Sequence, residues 1–83
     1  MPRFIDHHAT NPNLPPEVVT VIRQRLVSGE LDEFGERGIN VFVGPRETYC
    51  YTEAPDAEAV RKAHAAIGVS LAPEDVQEVQ PLP

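Results

Sequence analysis

At 83 residues the chain has room for one domain spanning 1–83, and a chain this short buries only about 60–65% of the surface its unfolded form exposes. Thirteen acidic residues against seven basic ones give a formal charge of −6. The bases (Arg3, Arg23, Arg25, Arg37, Arg46, Arg61 and Lys62) form no stripe, which argues against a nucleic-acid partner.

The single cysteine, Cys50, has no internal disulfide partner, and no apolar run approaches the roughly 18 residues of a membrane span. The opening "MPRFIDHH" lacks the apolar segment of a signal peptide. The expectation is a cytoplasmic protein with no membrane partner. With no tryptophan, three phenylalanines and two tyrosines, large anchors are few, and a second subunit is an expected source of further burial.

Nine prolines divide the chain into clean segments. "RFIDHH" alternates, with Phe4, Asp6 and His8 on one side and Ile5 and His7 on the other, and reads as a first strand. After the loop "ATNPNLPP", Pro15 or Pro16 suits a first helical turn, with Glu17 near its positive end. "EVVTVIRQRLVSGEL" places Val18, Ile22 and Leu26 on one stripe, widened by Val19, and Gly29 is the stop. "DEFGERG" is a polar connector. "INVFV", the turn "GPRE" and "TYCYTE" make a hairpin of two strands. "APDAEAVRKAHAAIG" opens on Asp56 as N-cap and closes on Gly68, with Ala57, Val60, Ala63, His64 and Ile67 as its apolar face. Val76 to Val79 is a last short strand.

The order β-α-β-β-α-β is the ferredoxin-like split βαβ arrangement, an α+β antiparallel sheet with two helices on one face. Strands one and three are expected to be central, adjacent and parallel. A ruler of 1.5 Å per helical residue from Asp56 puts His64 about 12 Å along the second helix. That is three to four strand residues at roughly 3.3 Å each. His64, Cys50 and Asp6 then fall at one level, with His8 and Glu53 nearer the sheet end. Phe4 and Ile5 are equally good core residues, so the face the helices cover stays open.

Asp6, His8, Cys50, Glu53 and His64 are therefore the candidate metal ligands. Each has an ordinary reading too: a strand histidine in solvent, a helix histidine satisfied in the core, a cysteine acting as a small hydrophobe, a solvated glutamate. Together they offer imidazole, thiolate and carboxylate, donors that nickel, zinc and copper accept. Asp6 is either a ligand or the group that fixes the His8 tautomer. No C-x-x-C, H-E-x-x-H or H-x₃-H spacing is present, and no glycine-rich phosphate loop. Nucleophilic catalysis by Cys50, which needs a thiol pKa depressed by His64 or a nearby cation, is the rival chemistry.

"RFIDHH", "YCYTEAPDAEAV", "KAHAAIG" and "EDVQEV" resemble a family of small bacterial proteins described as nickel-binding, ferredoxin-like and dimeric. The matching positions are Asp6 and His8 of a D-x-H strand, Cys50, Glu53, Ala54 and Pro55 of C-x-x-E-A-P, then His64, then Glu78 and Val79. The resemblance implies a homodimer joined through its sheets and a nickel site of histidine and carboxylate groups. Helix one departs from the family, with Arg23 and Arg25 where histidine or acidic residues are common, and the 29–38 connector is longer. Two further readings remain open: a small-molecule-binding or acid–base enzyme of the dimeric α+β barrel type, and a non-catalytic assembly module.

Overall fold

The computed structural model describes the whole chain, Met1–Pro83. Its elements are β1 (Arg3–Ala9), α1 (Pro16–Ser28), β2 (Arg37–Val43), β3 (Glu47–Glu53), α2 (Ala57–Ala65) and β4 (Val76–Val79), with a 3-10 turn at Pro73–Asp75 leading into β4. The strands form one sheet in the order β2-β3-β1-β4, and every pairing is antiparallel. This is the ferredoxin-like α+β architecture read from the element order.

One expectation is corrected. β1 and β3 are the central neighbours, but they run antiparallel, not parallel. A crossover through α1 makes β1 parallel to β2; the hairpin then reverses the chain, and β3 inserts between them. The register pairs Arg3 with Glu53, Asp6 with Cys50 and His8 with Thr48. His8 and Glu53 therefore lie toward opposite ends of the strand pair.

Local signals set the helix ends. Pro16 opens α1, and Gly29, at φ 68°, closes it with its N–H on the Arg25 carbonyl. The Asp56 carboxylate caps α2 by accepting from the Ala59 N–H at 2.8 Å. α2 ends at Ala65, earlier than Gly68, because the next turn folds back: the His64 carbonyl accepts from both Ile67 and Val69. Ile67, expected on the apolar face, is exposed.

The helices cover the sheet face that carries Phe4, Asp6, Thr48, Cys50 and Thr52, all buried. The core is small: Phe4, Ala54, Ala59, Val60 and Leu71, with Phe34, Ala57, Val69 and Val76 packed against it. It lies under α2. α1 has no buried residue and rests on β2 at Gly38, where an added Cβ would meet Leu26 Cδ2 at 2.9 Å. The opposite face of the sheet carries Ile5, His7, Tyr49, Tyr51 and Phe42, of which Phe42 is 58% exposed.

The connector before β2 is more than a polar spacer. The Asp32 carboxylate accepts from the N–H groups of Phe34 and Glu36, and the Asp32 N–H donates to the Glu36 carbonyl. Gly35 supplies the positive φ of 78° that this tight loop needs. The loop thereby turns Phe34 onto the core and buries Glu36.

Candidate metal centre

The β1–β3 register explains how the central groups meet. Asp6 and Cys50 are directly paired and share the helix-covered face. Side chains so placed have Cβ atoms about 4.5–5.5 Å apart. His8 lies two residues further along the same face, and its Nε2 is 3.9 Å from Cys50 Sγ. α2 crosses above and lowers His64 onto this pair, with Nε2 3.2 Å from Asp6 Oδ1. The His8 and His64 rings meet edge to face at 5.5 Å. Asp6, His8, Cys50 and His64 each offer one donor atom, all within 4.8 Å of one another.

One sequence-derived candidate, Glu53, and the neighbouring histidine His7 lie elsewhere. Glu53 is at the other end of β3, where Oε1 accepts from the Arg37 guanidinium at 3.0 Å. His7 is on the open face between Glu47, at 3.3 Å, and Asp75, at 3.5 Å.

The four clustered side chains sit in a closed setting. Asp6 is 0% exposed and His64 7%, while His8 is half-buried and forms the lip toward solvent. Apart from the His64 Nε2 contact at 3.2 Å, neither Asp6 oxygen has a hydrogen-bond partner. A buried carboxylate with so few donors is costly, and a cation offsets that cost.

Burial works to lower the His64 pKa. Hydrogen bonding to Asp6 and Cys50, the Asp6 charge and the Val60 carbonyl outweigh it and push the imidazole up to about 11. Burial also raises the Cys50 thiol, with His64 opposing and Asp6 reinforcing the shift. Without metal, then, His64 carries a proton against Asp6, and Cys50 is a thiol rather than an activated thiolate.

The histidine tautomers decide what this cluster can do. His64 Nδ1 lies 2.9 Å from the Val60 carbonyl oxygen, and His8 Nδ1 lies 3.1 Å from that of Ala9. A carbonyl oxygen only accepts, so both Nδ1 atoms carry hydrogen and donate. In neutral imidazole that leaves both Nε2 lone pairs for the centre. A ligating histidine characteristically gives its second N–H to such an acceptor. A Cys-His-Asp catalytic line needs thiol and carboxylate on opposite ring nitrogens. Here Asp6 addresses Nε2 of His64, and Nδ1 is taken by the Val60 carbonyl rather than by the thiol.

Two nitrogens, one sulfur and one oxygen fit a borderline divalent ion. Bond lengths of about 2.0–2.3 Å would require only a modest contraction of the cluster. Two surface grooves, of about 230 and 250 Å³, are lined by residues such as Phe34, Pro55, Lys62 and Ile67, not by the clustered side chains.

Sequence reasoning missed Glu36. It is 9% exposed, and its buried Oε1 has no hydrogen-bond partner. Burial, opposed by the His64 charge and reinforced by Asp32 and Asp6, pushes its carboxyl up to about 8. The signal available in the sequence was the Asp32 and Gly35 turn chemistry, which fixes the backbone just before it.

Fold and donor set together define a small ferredoxin-like α+β protein whose sheet and second helix enclose a cluster able to hold a metal ion. A family model described as nickel responsive protein, SCO4226-like, matches residues 4–79, and the chain belongs to that family. No curated protein and no solved structure matches the chain. No helix is long and apolar enough to cross a membrane.

Proposed function

We propose that the chain binds a divalent transition metal ion, with nickel as its working ion and Asp6, His8, Cys50 and His64 as ligands. The observation that carries this reading is the paired tautomers: both histidines donate Nδ1–H to backbone carbonyls and turn Nε2 toward one thiol and one carboxylate. The donor set also accepts zinc and copper, and the family's description supports nickel. Glu53, held by Arg37, stays outside the ligand set in this reading.

Charge balance supports the exchange. The metal-free centre holds Asp6⁻, protonated His64 and the Cys50 thiol, and is neutral. A divalent ion that displaces the His64 and Cys50 protons leaves two neutral imidazoles, a thiolate and a carboxylate around it, neutral again. The buried site therefore avoids an unpaired charge in either state. The single thiol is compatible with the reducing cytoplasm, where we place the protein; its recovery from an extracytoplasmic fraction of cells would count against that location.

Calorimetric titration of nickel into tag-free protein tests the ligands. The native chain takes up nickel, and the His8→Ala, His64→Ala double variant does not. Equal binding by both would reject this site.

The working unit in this reading is a homodimer joined through the open sheet face. Phe42 and Tyr49, paired across β2 and β3, are exposed there, and the five-residue core leaves burial to be gained. Light scattering on the native chain and on Phe42→Glu is the check: a dimer that the substitution dissociates is expected, and a monomeric native chain would remove this part.

A further inference from the structure

We propose that His8 is the exchangeable ligand of the metal centre: nickel enters and leaves on its side, and a neutral nitrogen donor from outside, an imidazole, takes the coordination position that His8 gives up. The inference rests on the metal-binding reading above and assigns its four ligands unequal parts, three fixed and one mobile.

Burial separates the four. Asp6, Cys50 and His64 are buried, and His8 alone is partly exposed. What holds each side chain explains the difference. Asp6 and Cys50 face each other across the two central strands. His64 is carried by α2, and its Nδ1 donates to the Val60 carbonyl in the interior. Withdrawing His64 means lifting α2 from the core, where Val60 is 0% exposed. His8 stands two residues past Asp6, where the pairing of β1 with β4 has already ended. Its Nδ1 is held only by the Ala9 carbonyl, in a solvent-exposed contact. Water replaces such an acceptor at little cost.

The backbone beside His8 is pinned, by contrast. The Thr10 N–H donates to the Arg46 carbonyl at 2.9 Å, and the Thr10 hydroxyl donates to the Gly44 carbonyl at 2.8 Å. The Thr48 hydroxyl, on the residue paired with His8, then donates to Thr10 at 2.9 Å. His8 therefore leaves by side-chain rotation, with the strand in place.

Charge favours the same ligand. When His8 Nε2 gives up its bond to the ion and an outside imidazole nitrogen makes one, a neutral donor replaces a neutral donor. No proton moves, and the net charge of the buried centre stays the same. Giving up Asp6 or Cys50 would instead strand an anion in the interior. Three protein ligands with a fourth position filled from outside is an arrangement that divalent metal sites use.

The test uses tag-free native chain, His8→Ala and His64→Ala, with nickel as the ion and free imidazole as the outside donor. Calorimetry reads affinity, with the nickel held by imidazole in solution subtracted, and stopped-flow absorbance reads nickel loss to excess EDTA. H8A is expected to keep one nickel per chain at reduced affinity. Imidazole at ten times its dissociation constant for the open position should raise that affinity about elevenfold. H64A, whose gap lies under α2, should show no such gain. On the native chain, loss of nickel to EDTA should quicken as imidazole is added.

A native release rate independent of imidazole would overturn the inference while leaving the four-ligand site standing, and this arm does not depend on how any variant folds. Equal rescue of H8A and H64A, or no rescue of H8A, would overturn it as well. Failure of the native chain to bind nickel would remove the metal reading and this inference with it.

Discussion

Asp6→Asn is the most searching single substitution, because it keeps shape and deletes one charge from the most buried ion pair. Asp6 is 0% exposed and lies 3.2 Å from His64 Nε2. Removing one partner of a buried pair costs about 3–5 kcal/mol. An 83-residue domain has a total stability of about 4–12 kcal/mol, at 0.05–0.15 kcal/mol per residue. At about 4–8 °C per kcal/mol, even the lower loss drops the melting temperature by roughly 12–24 °C.

The pH dependence identifies the cause. His64 is raised to about 11 in the folded chain, against an ordinary value of 6.5. Its contribution is therefore complete below pH 6.5 and is lost as pH rises through about 11. Between those limits the folded state binds the extra proton, and stability falls by at most about 1.4 kcal/mol per pH unit from this group.

In Asp6→Asn the carboxylate's hydrogen bond and charge are gone and burial is opposed only by Cys50 and the Val60 carbonyl, so this slope shrinks. Urea unfolding of chelator-treated protein at pH 7, 8, 9 and 10 measures it. The gap between native and variant should be widest at pH 7 and narrow steadily. Glu36 and Cys50 titrate in both proteins, so the difference reports mainly on His64. A gap constant from pH 7 to 10 would refute the pairing.

Other substitutions and conditions probe separate links. Glu53→Gln should leave nickel affinity unchanged in a calorimetric titration and cost no more than about 1 kcal/mol, because its partner Arg37 is partly exposed. Val60→Ala, at a fully buried position, should cost about 2 kcal/mol by urea denaturation. Gly35→Ala should cost about 1 kcal/mol or more, since φ is 78° and the new methyl would stand 3.2 Å from Pro55 Cγ. Nickel affinity should fall as pH is lowered below neutrality. The limit is about a hundredfold per pH unit where two protons are exchanged per ion, read by titration at pH 6 and 7.

The elements were legible because their signals are local. Alternation marked β1, prolines and Gly29 bounded α1, Asp56 capped α2, and "GPRE" separated the hairpin strands. Element order then led to the ferredoxin-like sheet, and the ruler along α2 put His64 at the level of Asp6 and Cys50, which the register pairs. The expected parallel run of β3 beside β1 does not hold. Side-chain parity is the same in both directions, and only the connectivity of the whole sheet distinguishes them.

Local signals along the chain settle the inventory: two helices, four strands, and a set of nitrogen, sulfur and oxygen donors spread from Asp6 to His64. Tertiary structure alone decided which of those donors share a point. It chose His8 over His7 by burying the Phe4–Asp6 face, and it left Glu53 with Arg37 by reversing β3. It also drew Glu36 inward from a segment that reads as polar. The physical reason is range. Propensity, capping and turn chemistry act over a few residues, whereas coordination and burial depend on contacts between segments more than forty residues apart, which no local pattern encodes.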